Sequence, residues 1–338
     1  MFVSHYDSWP GSPGAVDAMA PIAAMLEAMR SQANNANLAN NIYFLMTDGE
    51  EFGAIGVLAF IQDHPELRDR VDMIVNLEAQ GNSGGLILFE TSPQPHAMVN
   101  LFRRAVPRPL GFSITQLIYN AIGTYTDFCF FRQYGWRGVN LAIIGGFEDY
   151  HQATDTFENL NRNTAWHYLT TTLGLADYAA NKPLDRLRGQ PRRAVFFPFL
   201  PGNMVVLSYL WAYILCALAI VLAVAFFVYG RKIKKTKTTF YPVYLLFLAA
   251  LSLASTVFFP AASYLVWLPL LLMSLTAFLK KWEVAYRASQ ALSRITVLLL
   301  WAPLIYLVLA FPWGLLVGTG TGCLCDVCVC YETGESCM

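Results

Sequence analysis

Residues 204–230 contain no Asp, Glu, Lys or Arg. A run of that length has one simple fate, a helix across a bilayer, because about 20 apolar residues span the hydrocarbon core. Residues 240–279 are uncharged as well. They are twice as long as one crossing needs, and Pro260 divides them, so the pattern predicts helices over about 240–259 and 261–279. A fourth is expected over 295–317. Every Lys and Arg beyond residue 203 falls within 231–237 or 280–294. With four crossings both stretches emerge on one face, and their positive charge makes that face cytoplasmic. Residues 1–203 are therefore expected on the other side, periplasmic in a bacterium or lumenal in a eukaryote. Arg186, Arg188, Arg192 and Arg193 sit on that side but are outnumbered. The lack of any Asn-x-Ser/Thr sequon leans toward the bacterial case. Met1-Phe2-Val3-Ser4-His5 has neither the basic start nor the apolar core of a signal peptide, so coding sequence upstream of Met1 is expected.

The first 180 residues read differently. Short β-like runs at 2–4, 42–47, 73–77, 86–89 and 139–144 alternate with helical patterns at 18–30, 52–63, 95–105 and 164–181. That alternation predicts an α/β fold with a mostly parallel sheet flanked by helices. Five strands make a thin sheet, and a strand at residue 2 has little chain before it, so further strands are expected upstream. The organisation predicted is an α/β domain at 1–182, a Pro- and Arg-rich linker at 183–203, the α-helical transmembrane region at 204–317 and a Cys-rich tail at 318–338. Hydrophobic residues make up 56% of the chain and the net charge is zero, which suits a lipid bilayer as partner and gives no basic surface for nucleic acid.

In open α/β sheets, catalytic groups gather at the carboxyl ends of the strands. Here those ends carry His5, the turn Asp48-Gly49-Glu50-Glu51, Glu78 and, a little beyond the last strand, His151. Carboxylates and imidazoles converging on one rim suit zinc, and several carboxylates in one place need a cation to neutralise them. Two metals sharing a bridging carboxylate are a common hydrolytic arrangement.

His5-Tyr6-Asp7-Ser8, Pro13-Gly14-Ala15-Val16-Asp17, Thr47-Asp48-Gly49-Glu50-Glu51-Phe52-Gly53, Asn76-Leu77-Glu78-Ala79 and Tyr150-His151-Gln152-Ala153-Thr154-Asp155-Thr156 together resemble the successive motifs of the co-catalytic di-zinc aminopeptidases. Their superfamily also holds glutamate carboxypeptidase and the glutaminyl cyclases. Asn-Leu-Glu-Ala, the nearby Phe89-Glu90-Thr91-Ser92 and the apolar C-terminal tracts resemble its multi-spanning membrane branch, typified by vacuolar membrane protease and endoplasmic reticulum metallopeptidase. The resemblance implies that Asp17 bridges two zinc ions, that Glu51 and His151 complete one site, and that His5 and Glu78 complete the other. It implies that Glu50 is the general base, that Asp7 orients His5 and that Asp155 does similar work near His151. The activity implied is removal of N-terminal residues from peptides by a membrane-anchored metallopeptidase. A catalytically silent module on the same fold and glutaminyl cyclisation are the alternatives. Relatives often carry an acidic or amide residue after the bridging aspartate, where this chain has Ala18, a departure that bears on the local geometry around Asp17 more than on Asp17 as a ligand.

Taken singly, these residues have plainer readings. His5 could be a strand-end histidine, Glu50-Glu51 an acidic helix start that complements the helix dipole, and His151 a loop residue. A carboxylate at the end of an apolar strand, as at Glu78, is harder to dismiss because burying it without a partner is costly. His64, His96 and His167 fit no motif and read as structural or surface residues, and Cys129 and Cys216 as buried apolar ones. Cys323, Cys325, Cys328, Cys330 and Cys337 match no zinc module; disulfide pairing or no function is the expectation. Substrate preference is expected to draw on residues 118–131, including Asp127.

Overall fold

The computed structural model describes residues 1–184, 187, 192–200, 202–232, 249–250, 252–253 and 263–278. Five strands form the main sheet: β1 (Phe2–His5), β2 (Phe44–Thr47), β3 (Ile74–Ala79), β4 (Ile87–Thr91) and β5 (Gly138–Ile143), in the order β2-β1-β3-β5-β4. All neighbours are parallel except β4, which runs antiparallel to β5. Strands β1, β3 and β5 are buried along their whole length, as expected where helices cover both faces of a parallel sheet. Although it starts at residue 2, β1 is an inner strand, paired with β2 on one side and β3 on the other.

Helices α1 (Ala20–Gln32), α3 (His96–Ala105) and α6 (Arg162–Asn181) contribute to one core with Val75, Leu77, Val139, Leu141 and Leu88. On the opposite face, α2 (Ile55–Asp63) and α5 (Asp127–Gln133) enclose Val3 and Ile74 with Val57, Ile61, Phe128 and Phe131. A further short helix, α4 (Thr115–Ile122), covers β4. Neither α4 nor α5 is among the expected helices, since neither is long enough to show a 3.6-residue period.

The interval expected to be a linker and the start of a membrane helix contains a β-hairpin instead. Strands β6 (Ala194–Leu200) and β7 (Asn203–Ser208) pair antiparallel, with Gly202 before β7 at φ 76°. A Pro-Gly pair between runs of Val and Phe is a turn signal, and period-2 alternation gives the hairpin two working faces. Ala194, Phe196 and Met204 enter the main core, whereas Val195 and Phe197 pack with Ala212, Cys216, Tyr264 and Trp267. Those partners belong to α7 (Tyr209–Lys232) and α8 (Tyr264–Phe278).

Within the described residues, the crossings expected at 204–230 and 261–279 coincide with helices α7 and α8. The first begins at Tyr209 because 203–208 are extended, and the second has 15 residues. Among the described residues no helix is long and apolar enough to cross a membrane. The crossings expected at 240–259 and 295–317 lie almost wholly outside the described residues, as does the tail at 318–338.

Candidate metal centre

Five segments deliver polar side chains to the carboxyl edge of the sheet. His5 ends β1 and is 1% exposed. Glu50 and Glu51 sit in the turn after β2, where Gly53, at φ 101°, and Ala54, at φ 55°, reverse the chain into α2. Glu78 lies near the end of β3, and Asp17 on the irregular turn Ala15–Met19 that precedes α1. The Asp17-Ala18 peptide bond is cis. His151, beyond β5, has a φ of 58°, a backbone state that non-glycine residues adopt chiefly where surroundings enforce it.

These side chains converge. Asp17 faces both histidines: its Oδ1 is 3.3 Å from His5 Nε2 and its Oδ2 is 3.3 Å from His151 Nε2. Glu78 Oε2 lies 3.5 Å from His5 Nε2, and Glu51 Oε2 lies 2.9 Å from His151 Nε2. His5, Asp17 and Glu78 form one group whose candidate ligand atoms all lie within 4.8 Å of one another, and Asp17, Glu51 and His151 form a second. A third combines His5 with Glu50 and Glu51. Among the described residues, His5 Nε2, His151 Nε2 and Glu51 Oε1 are buried with no hydrogen-bond partner. Buried orphan acceptors of this kind, facing carboxylates, fit a bound cation.

Neighbouring groups fix the orientation. Asp7 approaches His5 Nδ1 at 3.0 Å through its backbone oxygen and 3.4 Å through Oδ1, which turns Nε2 toward Asp17. The same carboxylate accepts from the backbone N–H groups of Glu50 and Glu51, each at 3.2 Å. Asp155 does not address His151. Its carboxylate accepts from Val16 and Asp17 N–H at 2.9 and 3.1 Å, so it pins the turn that carries Asp17, and the role near His151 is corrected to this one. His151 itself is stacked between Trp9, at 4.7 Å and 4°, and Tyr150, at 3.7 Å and 25°.

The electrostatics reflect crowded acids. Burial, reinforced by Glu78, pushes Glu50 up to about 10 against the opposing pull of His5. Burial pulls both histidines down, but carboxylates outweigh it: Asp17, Asp7 and Glu78 hold His5 well above its ordinary value, and Asp17 with Glu51 lifts His151 to about 9. Burial raises Glu51, with His151 opposing. Asp17 is lowered, since His151 and His5 outweigh its burial.

Asp127, expected near the substrate, is fully buried beneath the site. It accepts a short hydrogen bond from Thr47, and burial pushes it up to about 7. Residues of α4 instead line a small cavity of about 30 Å³ with Phe89, Ala142 and Ile144, beside Glu78, which pairs with Ala142. His167 is structural, accepting from Leu86 N–H at 2.9 Å. Cys216 is buried, as expected, and Cys129 half-buried. Sequence reasoning quoted Asn76 and Glu90 within motifs but gave them no role, and missed Asn140 and Arg132; buried Asn76, Asn140 and Glu90, with half-buried Arg132, form a polar row behind Glu78. The available signal was a Val-Asn-Leu triplet inside both β3 and β5, two otherwise apolar strands.

The chain is similar to known proteins. The signature of Peptidase family M28 matches residues 1–176. A vacuolar membrane protease of Candida glabrata is 33% identical over 207 residues, covering 60% of this chain and 21% of the relative. A vacuolar membrane protease of Eremothecium gossypii is 36% identical over 184 residues, covering 53% and 18%. The chain therefore spans about a fifth of the length of these relatives. Among solved structures, an aminopeptidase from Aneurinibacillus sp. strain AM-1 aligns with a TM-score of 0.40 and 18% identity over 54% of this chain and 43% of that one.

Proposed function

Because the chain belongs to peptidase family M28, we propose that its α/β domain is the catalytic part of a membrane-anchored, two-zinc exopeptidase that removes N-terminal residues from peptides. The observation that carries this reading is Asp17, whose two oxygens face two separate histidine-and-glutamate clusters. His5 and Glu78 would hold one zinc, Glu51 and His151 the other, and Asp17 both. Zinc bound there would act as a Lewis acid on the scissile carbonyl and neutralise the acidic cluster.

The chain's own contribution is proton handling and orientation. Glu50 sits between the clusters with its carboxyl group held above the ordinary range by burial. That shift keeps it neutral in the metal-free chain; with zinc neutralising the acidic cluster it would ionise, and could then take a proton from the attacking water and return it to the leaving amine. Asp7 holds His5 and the Glu50-Glu51 backbone together, so the base and one ligand keep a common frame. Asp155 does the same for the bridge.

Membrane attachment is proposed through the apolar regions from residue 209 onward, in a multi-pass arrangement with the catalytic domain on the non-cytoplasmic side. Helix α7 supports it, since Leu210, Trp211, Ile214, Leu218 and Val221 are exposed. The test is metal analysis of the detergent-purified chain combined with release of free N-terminal amino acids from unblocked and N-acetylated peptides. Expected are two zinc ions, cleavage of unblocked peptides only, and a loss of about 10²–10⁴-fold in kcat for Glu50→Gln with zinc retained. Absence of bound metal, or full activity in Glu50→Gln, overturns the reading.

A further inference from the structure

Behind Glu78 a row of buried polar side chains crosses three strands. Asn76 and Asn140 sit side by side in register on β3 and β5, and Glu90 lies opposite Asn140 on β4, at the irregularity in that strand. All three are 0% exposed. Asn76 Nδ2 donates to Glu78 Oε1 and to Asn140 Oδ1, both at 3.0 Å. Asn140 Nδ2 donates to Glu90 Oε2 at 3.0 Å and to Thr126 Oγ1 at 2.8 Å. Arg132 on α5 closes the row, with Nη1 3.0 Å from Glu90 Oε1.

The row has a direction. An ionised carboxylate only accepts, whereas an amide has a donating and an accepting end. Glu90 therefore requires the NH₂ of Asn140 to face it, which leaves the Asn140 oxygen toward Asn76. That oxygen in turn holds the Asn76 NH₂ between itself and Glu78. Stability alone does not account for the arrangement, since a buried ion pair is often no more stabilising than apolar residues of the same volume. Orientation of Glu78 does account for it, because its Oε1 is held by Asn76 while Oε2 remains directed at His5.

We propose that Glu90, charged and fixed by Arg132, is a positioning residue that acts through Asn140 and Asn76 to hold Glu78 in its ligating orientation. The proposal rests on the two-zinc reading above. In Glu90→Gln the new amide must keep its oxygen toward Arg132, so its NH₂ meets Asn140. Asn140 then turns over, Asn76 follows, and Glu78 faces an amide oxygen where it had a donor.

The test uses the full chain in detergent and measures zinc stoichiometry and stepwise affinity by chelator competition, the visible spectrum of the cobalt-substituted protein, and the melting temperature. Glu90→Gln is expected to lose about 10–100-fold in affinity at one of the two ions, the range seen for groups behind metal ligands, and to leave the other unchanged. Asn76→Ala, which leaves the Glu90–Arg132 pair intact, is expected to weaken the same ion. Arg132→Lys, which keeps the charge, should retain most of the affinity. Combined with Glu78→Ala, Glu90→Gln should add no further loss, because both act on one ligand. Wild-type affinity for both ions in folded Glu90→Gln and Asn76→Ala, or additive losses in the double variant, overturns the proposal while the two-zinc reading stands. A wild-type chain that binds no zinc overturns both.

Discussion

His151 holds its position through unlike forces. Its ring is sandwiched by Trp9 and Tyr150, its backbone is left-handed, and its Nε2 faces two carboxylates. Asp17 and Glu51 outweigh the opposing effect of burial and lift its pKa from 6.5 to about 9. In the metal-free protein the ring is therefore protonated at neutral pH. The sign for stability follows from a raised histidine pKa. Its contribution is fully present below the unfolded value near 6.5 and is lost as pH rises through about 9. Zinc runs the other way, since only the neutral ring ligates. Chelator-stripped protein should thus melt at lower temperature as pH rises from 7 to 9, while zinc affinity increases over the same interval. Calorimetric titration in two buffers of different ionisation enthalpy should register net proton release at pH 7. Proton uptake, or an affinity flat across that range, would contradict the assignment of His151 as a ligand.

Helix α2 shows how an element sets the site through its backbone. Gly56 lies one residue into α2, and its N–H donates to Asp48 O at 2.9 Å. A Cβ at Gly56 would lie 2.4 Å from Asp48 O and 2.7 Å from Asp48 N. Gly→Ala inside a helix normally stabilises by about 1 kcal/mol, but here the clash is with backbone, and overpacking costs about 1–3 kcal/mol. Gly56→Ala is therefore expected to lower the melting temperature and to weaken zinc binding, because the displaced turn carries Glu50 and Glu51. A melting curve with chelator competition checks both, and an unchanged affinity would separate α2 from the site.

The same contrast between local pattern and tertiary contact decides what could be read from the sequence. The five sheet strands were legible because runs such as Ile74-Val75 and Leu86-Ile87-Leu88 are apolar and β-branched, and His5, Glu50, Glu51 and Glu78 were legible because they follow those runs. Helices α4 and α5 were not, being too short for periodicity. The hairpin β6–β7 was hidden because its Val and Phe residues are as apolar as a membrane helix, and alternation over six residues competes poorly with a long uncharged tract. Asn76 and Asn140 lie 64 residues apart. Nothing local says that their strands are neighbours in register.

At the scale of the whole molecule, polarity is divided in space. The acidic rim lies on the α/β domain, while Leu210, Trp211, Ile214, Leu218 and Val221 on α7 face outward. Exposed apolar surface of that extent marks a contact with lipid or protein. If lipid covers it, brominated phospholipid should quench the chain's tryptophan fluorescence in reconstituted vesicles, and Trp211→Phe should remove a clear part of that quenching. Equal quenching in the variant would place Trp211 away from the bilayer.

The two-faced hairpin also governs where the chain can be cut. Phe196 N–H donates to Ser113 Oγ at 3.3 Å and its carbonyl accepts from Ser113 N–H at 2.8 Å, while Ala194, Phe196 and Met204 complete the core that α3 and α6 form on the sheet. Trimming at residue 182, where the helical pattern ends, would strip that cover and expose the floor of the peptidase domain. Ending after Ser208 retains it, but leaves Val195 and Phe197 bare on the side that α7 and α8 occupy. A fragment ending there would therefore need its outer hairpin face redesigned as well as its helices removed, because the α/β domain and helices α7 and α8 meet across a single layer of β-structure.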